Sequence, residues 1–102
     1  MAKIAEHKLT WTASASLDVG GYKIYFNDDG TQPDYLSKSH DCGNVAEVLV
    51  SDLADFPTTE GTYVLGLTAY DNSGNESDMV HKDFFLDLVA PDAPTSFTIV
   101  VL

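Results

Sequence analysis

Apolar and polar residues alternate along much of the chain with a period of two. Leu9 and Trp11 alternate with lysine and threonine, and farther along Tyr22, Ile24 and Phe26 share one face. Such alternation is typical of strands that bury one side. Because no stretch repeats with the period of a helix, we predict an all-β protein.

Further strands follow, separated by turn signals. We predict them at residues 35–42 (a short edge strand), 45–53, 62–70 and 77–88. The last strand should direct four side chains inward: Val80, Phe84, Leu86 and Leu88. Glycine, asparagine and aspartate mark turns at 28–30 and 71–75, because these residues tolerate turn geometry at low cost. Several short strands joined by turns predict an antiparallel β-sandwich.

Composition limits the chain to one small domain and excludes several partners. The chain has 102 residues, of which 44% are apolar, so it can bury a core. Sixteen carboxylates face five lysines and no arginine, which gives a net charge of −11. Binding to nucleic acid or to an anionic membrane requires cationic side chains, so neither is expected. The single cysteine, Cys42, excludes an internal disulfide.

Three segments together resemble the fibronectin type III domain of bacterial and phage proteins. They read LTW at residues 9–11, GYKIYF at 21–26 and YVLGLTAYDNSGNES at 63–77. The resemblance implies an immunoglobulin-like sandwich of about seven strands. It also implies that Trp11 is the core tryptophan of the second strand, and that Tyr63 forms a tyrosine corner above Leu53. The expected core is Trp11, Tyr22, Ile24, Leu53, Tyr63, Leu65 and Leu67.

The chain departs from the family pattern at its two ends. Residues 1–8 lack the family's proline-containing lead and first strand, whereas residues 90–100 look like that lead. We therefore expect a sandwich over 1–89, followed by a linker and strand over 90–102. Residues 95–101 would fill the vacant first-strand position of the same or a neighbouring sandwich, using Phe97, Ile99 and Val101. The alternatives are a frayed tail and the remnant of a tandem array.

Possible chemical sites are few, and each has a simpler explanation. Residues 37–42 contain serine, histidine, aspartate and cysteine, but neighbours in a strand point to opposite faces and do not form a triad. His40 and Cys42 share a face, yet zinc needs three or four ligands. The acidic segments at 71–78 and at 28–30 with Asp34 could attract calcium, although hairpin turns need the same residues. We expect no catalytic residue, metal or cofactor.

The leading functional hypothesis is a non-catalytic spacer or protein-interaction module. Its expected contact surface consists of Tyr25, Tyr70, Asn72, Ser73 and Asn75. One alternative is a small phage- or surface-associated subunit that assembles through its C-terminal strand, and another is carbohydrate binding by outward-facing tyrosines. The sequence predicts neither a secretory signal nor a transmembrane helix and assigns no compartment, although the family is often extracytoplasmic.

Overall fold

Six strands in two antiparallel sheets make up the described part of the chain. The computed structural model describes residues 2–102. The strands are β1 (Lys8–Thr10), β2 (Val19–Phe26), β3 (Lys38–Gly43), β4 (Glu47–Leu49), β5 (Gly61–Asp71) and β6 (Val80–Leu86). A 3-10 turn, Val50–Asp52, follows β4. The predicted all-β antiparallel sandwich is confirmed.

The larger sheet has the order β3-β2-β5-β6, and the smaller one pairs β1 with β4. The two strands with the longest alternation, β2 and β5, lie at the centre of the larger sheet, with Ile24 opposite Leu67. The strand predicted at 45–53 ends early, because Val50 begins the 3-10 turn. The strand predicted at 77–88 is shortened to Val80–Leu86.

The core lies between the inner faces of the two sheets. Its buried centre is Ile24, Phe26, Leu53 and Leu65, and the half-buried side chains packed against it include Leu9, Trp11, Val48, Phe56, Leu67 and Phe84. Of the core expected from sequence, Tyr22 and Tyr63 are also buried, whereas Trp11 and Leu67 are only partly covered. These two lie toward a side of the sandwich that the described residues leave open.

The connection between the sheets is fixed by Tyr63. Its hydroxyl donates to the carbonyl of Thr59 over 2.6 Å, and its ring lies 5.5 Å from that of Phe56. Leu53, which belongs to the same connection, is buried in the core with Phe56 packed against this cluster. A buried phenol needs a hydrogen-bond acceptor, and the loop before β5 supplies one.

Residues 90–102 extend away from the sandwich and contain no strand. Phe97 and Ile99 are 96% and 89% exposed. The described molecule consequently measures 70 Å along its longest axis and 18 Å along its shortest. Pairing of residues 95–101 with their own sandwich is therefore not observed. No helix within residues 2–102 is long and apolar enough to span a membrane.

Candidate interaction groove

The outer edge of β1 carries backbone groups that point to solvent. Val50 donates to the carbonyl of His7, and Trp11 donates to the carbonyl of Ala46, so these positions bond to the β4 side. Bonding positions alternate in an antiparallel pair. Lys8 and Thr10 therefore direct their N–H and C=O groups away from β4. No strand of residues 2–102 lies on that side.

The free edge of β6 lies opposite that of β1, and the two strands run in opposite directions along an open groove. At one end, Trp11 and Val80 line a cavity of about 420 Å³. At the other end, Ile4 and Leu88 line a second cavity of about 440 Å³. Between these ends, the rings of His7 and Phe84 meet edge to face at 5.2 Å. We call this feature, bounded by residues 4–11 and 80–88, the open groove.

The walls of the open groove are mainly apolar. Leu67 and Phe84 are half-buried there, and Val80 is 62% exposed although its strand position directs it inward. The indole Nε1 of Trp11 is buried and has no hydrogen-bond partner within the described residues. Apolar side chains of the core are thus accessible from one side of the sandwich.

The other exposed edge of the larger sheet is strand β3, and its side chains are mainly polar. β3 has the sequence KSHDCG, and its Lys38 pairs with Asp28 at 2.7 Å. That hydrogen bond raises the pKa of the Lys38 ammonium. Charged side chains also border the open groove, at Lys8, Lys82 and Asp83. The open groove additionally exposes apolar side chains beside its backbone edge, at Trp11, Val80 and Phe84, and is therefore the better candidate for an interaction site.

Tyr25 is not part of an exposed surface, which corrects the expectation from sequence. It lies on the outer face of β2 but is only 3% exposed, because Tyr35 covers it with ring centroids 6.0 Å apart. Its hydroxyl donates to Glu76 over 2.6 Å. Tyr70 lies opposite Gly21 and Tyr25 lies opposite Gly66, so the two tyrosines are not directly opposed across β2 and β5.

Glu76 is the centre of a polar cluster that sequence reasoning missed. Its carboxylate accepts hydrogen bonds from Tyr25 and from the buried Thr68, the latter over 2.8 Å, and pairs with Lys23 at 3.4 Å. Burial alone would raise the pKa of Glu76, but these hydrogen bonds and the lysine charge outweigh it and lower the pKa. The same burial and the bond to Glu76 raise the pKa of Tyr25. In the sequence, the only indication of this cluster was that polar residues occupy facing positions of β2 and β5.

Tyr70 and the turn at 71–75 remain accessible, but their polar groups are mostly used internally. The hydroxyl of Tyr70 donates to Asp41 over 2.8 Å, and this bond raises the pKa of the tyrosine. The Asp71 carboxylate accepts the backbone N–H groups of Ser73 and Asn75, each over 2.9 Å. Bonds from Asn75 lower the pKa of Asp71. The side chain of Asn72 is exposed. This turn is therefore built by the residues that sequence reasoning offered as calcium ligands.

The remaining sequence candidates are not brought together. Among the described residues, no three histidine, cysteine, aspartate or glutamate side chains are placed to hold a metal ion. Cys42 is half-buried, and burial raises the pKa of its thiol to about 11. Asp29 accepts from the N–H and hydroxyl of Thr31, and Asp34 accepts from the N–H of Leu36. Both acids therefore serve as turn residues.

Comparison with known protein families, with curated proteins and with solved structures finds no match to this chain.

Proposed function

We propose that this chain is a non-catalytic interaction module of the fibronectin type III kind, and that it binds a β-strand of its partner in the open groove. The strand order supports the family assignment: within residues 2–102 a β3-β2-β5-β6 sheet faces β1 and β4, and no described strand occupies the place beside β1 that the family's first strand would take. The hydroxyl bond from Tyr63 to Thr59 supports it as well, because it has the form of a tyrosine corner.

The observation that carries the proposal is the combination of unpaired backbone and accessible core on one side of the sandwich. Lys8 and Thr10 offer outward N–H and C=O groups, and Trp11, Val80 and Phe84 offer apolar surface beside them. Strand addition uses these two features together. The main chain provides affinity, and alternate side chains entering the groove provide specificity.

The proposal is tested by supplying a strand within the chain itself. An eight-residue segment of alternating threonine and valine is placed ahead of Ala2 and joined through a short glycine-serine turn, in a chain that also carries Phe97→Asp and Ile99→Asp. If the groove accepts a strand, the melting temperature rises by about 5 °C or more. The emission of Trp11, the single tryptophan, shifts to shorter wavelength as water leaves the groove.

The control has serine in place of each added valine, which keeps the length and removes the apolar side chains. Its melting temperature should lie within about 2 °C of that of the chain without the added segment. Equal melting temperatures for the threonine-valine variant and this control would overturn strand binding. A spacer that makes no contact through this edge would then be the better description.

A further inference from the structure

We propose that the strand bound by the open groove is residues 95–101 of a second copy of this chain. This inference rests on the proposed function, because it names the partner of the same groove. The segment reads TSFTIVV and has the alternation of an edge strand, with Phe97, Ile99 and Val101 on one face. All three side chains are almost fully exposed. An exposed apolar segment with the alternation of a strand, and an apolar groove that no described strand fills, are complementary surfaces.

The length of the segment is close to that of the groove. Residues 80–88 border the groove over about 26 Å, which is eight steps of an extended chain, and the six steps of residues 95–101 cover about 20 Å. A bound strand would therefore occupy about three quarters of the groove, beginning at its Trp11 end. Successive inward side chains, about 6.6 Å apart, would contact both cavities.

The direction of the chain favours a second copy over self-insertion. A strand antiparallel to β1 must enter beside Trp11 and Val80 and leave beside Leu88. The chain's own tail departs from Leu88, at the wrong end for this direction. From Leu88 to Thr95 the chain makes seven steps, at most about 25 Å, so even a fully extended connection would barely cover the return distance of about 26 Å. Pro91 and Pro94 further restrict a reversal.

Charge also favours this segment as the contact. The chain carries a net charge of −11, so two copies repel each other over most of their surfaces. Residues 93–102 contain no charged side chain. The groove contributes Lys82 on the inward-facing side of β6, and this lysine forms no ion pair among residues 2–102. The tail and groove can therefore meet without placing carboxylate side chains of the tail in the contact.

The first experiment measures molar mass by light scattering at chain concentrations from about 1 µM to 1 mM, a range that covers affinities from tight to weak. We expect the mass to rise from that of one chain to two or more. Phe97→Asp with Ile99→Asp should weaken the association by about 100-fold or more, because both side chains leave the groove. The structure places these residues in solvent, so the substitutions leave the sandwich of the single chain intact.

The matched control is Ser96→Asp with Thr98→Asp, which adds the same charge to the opposite face of the same segment. We expect its association to remain within about 10-fold of the original, the residual loss arising from added repulsion. Equal loss in both variants would overturn the assignment of Phe97 and Ile99 to the groove. A chain that stays a single copy at 1 mM would overturn the proposal altogether.

The second experiment identifies the edge that receives the strand. A chain carrying Thr98→Cys is mixed with one carrying Lys8→Cys on β1 or, as control, Ser39→Cys on the exposed edge strand β3. Mild oxidation should join Thr98→Cys to Lys8→Cys at least tenfold faster, because an antiparallel strand that begins beside Trp11 places Thr98 opposite Lys8. Preferential joining to Ser39→Cys would place the contact on β3 and overturn the proposal.

The two proposals fail in different ways. If the added threonine-valine strand raises the melting temperature but the unmodified chain never associates, the groove binds strands and the partner is a different protein. If that strand has no effect while the chain associates through β3 or another surface, the groove itself is not the interaction site.

Discussion

Tyr63 and Tyr35 both donate a phenolic hydrogen to a backbone carbonyl, but in different surroundings. Tyr63 is buried and bonds to Thr59 over 2.6 Å, whereas Tyr35 is half exposed and bonds to Ser77 over 2.7 Å. Water can replace the hydroxyl of Tyr35 but has little access to the acceptor of Tyr63. The two residues therefore form a matched pair for measuring what burial adds to one hydrogen bond.

We predict that Tyr63→Phe lowers the free energy of unfolding by about 1–2 kcal/mol, because the Thr59 carbonyl loses its partner in a part-buried place. Tyr35→Phe should cost less than about 0.5 kcal/mol. Urea denaturation followed by Trp11 fluorescence measures both. Equal losses for the two variants would show that burial of the Tyr63 hydroxyl does not strengthen this bond.

Glu76 makes stability depend on acid pH. Its pKa is lower in the folded chain than in the unfolded one, so its ionised form stabilises the fold. That contribution is present in full above the unfolded pKa of about 4.3, and it is lost as the pH falls through the folded pKa. We predict that Glu76→Gln lowers the free energy of unfolding most at pH 7. This loss relative to the original chain should become smaller as the pH falls to 3.

The control for this prediction is Glu47→Gln, which removes an exposed carboxylate paired with Lys8 at 3.1 Å. Exposed pairs contribute little, so its small effect should hardly change with pH. Urea midpoints at pH 7, 5, 4 and 3 provide the measurement. A deficit for Glu76→Gln that stays constant over this range would contradict the assigned role of the carboxylate charge.

At the scale of elements, the strands with long alternation were predictable and the short ones were not. β2 and β5 follow from their period of two, because each has one face packed against the core along most of its length. β4 ends early because the N–H of Leu53 donates to the carbonyl of Val50 and closes a 3-10 turn. The alternation of apolar and polar residues gives no sign of such a turn. Val80 fits an inward position, yet it is exposed because no described strand covers it.

The outer face of the larger sheet also escaped prediction, for a different reason. Residues far apart in sequence cover it, and a side chain at Gly66 would collide with Met79 and approach Pro33 to 3.3 Å. We predict that Gly66→Ala lowers the free energy of unfolding by about 1–3 kcal/mol by overpacking. In a Met79→Ala background the same change should cost at least 1 kcal/mol less. Additive losses in this thermal-unfolding cycle would exclude the Met79 contact as the cause.

The alternation of backbone bonds along β1 gives a prediction for hydrogen exchange. In the single-copy variant with Phe97→Asp and Ile99→Asp, the amide of Thr10 should exchange at least tenfold faster than that of Trp11, which donates to Ala46. The comparison is internal to one strand, so overall stability cancels. Similar protection at both positions would mean that the edge of β1 is already covered.

At the scale of the whole molecule, the net charge disfavours the proposed assembly and the extended apolar tail favours it. The net charge of −11 separates copies, whereas the tail, which gives the molecule its 70 Å length, contributes an uncharged apolar strand. We predict that raising sodium chloride from 20 mM to 500 mM strengthens association by about tenfold or more, because salt screens the repulsion and leaves apolar contact intact. Light scattering across this range is the measurement, with the Phe97→Asp and Ile99→Asp variant expected to stay a single copy throughout. Association that weakens with salt would instead point to ion pairs, with Lys82 the first residue to substitute.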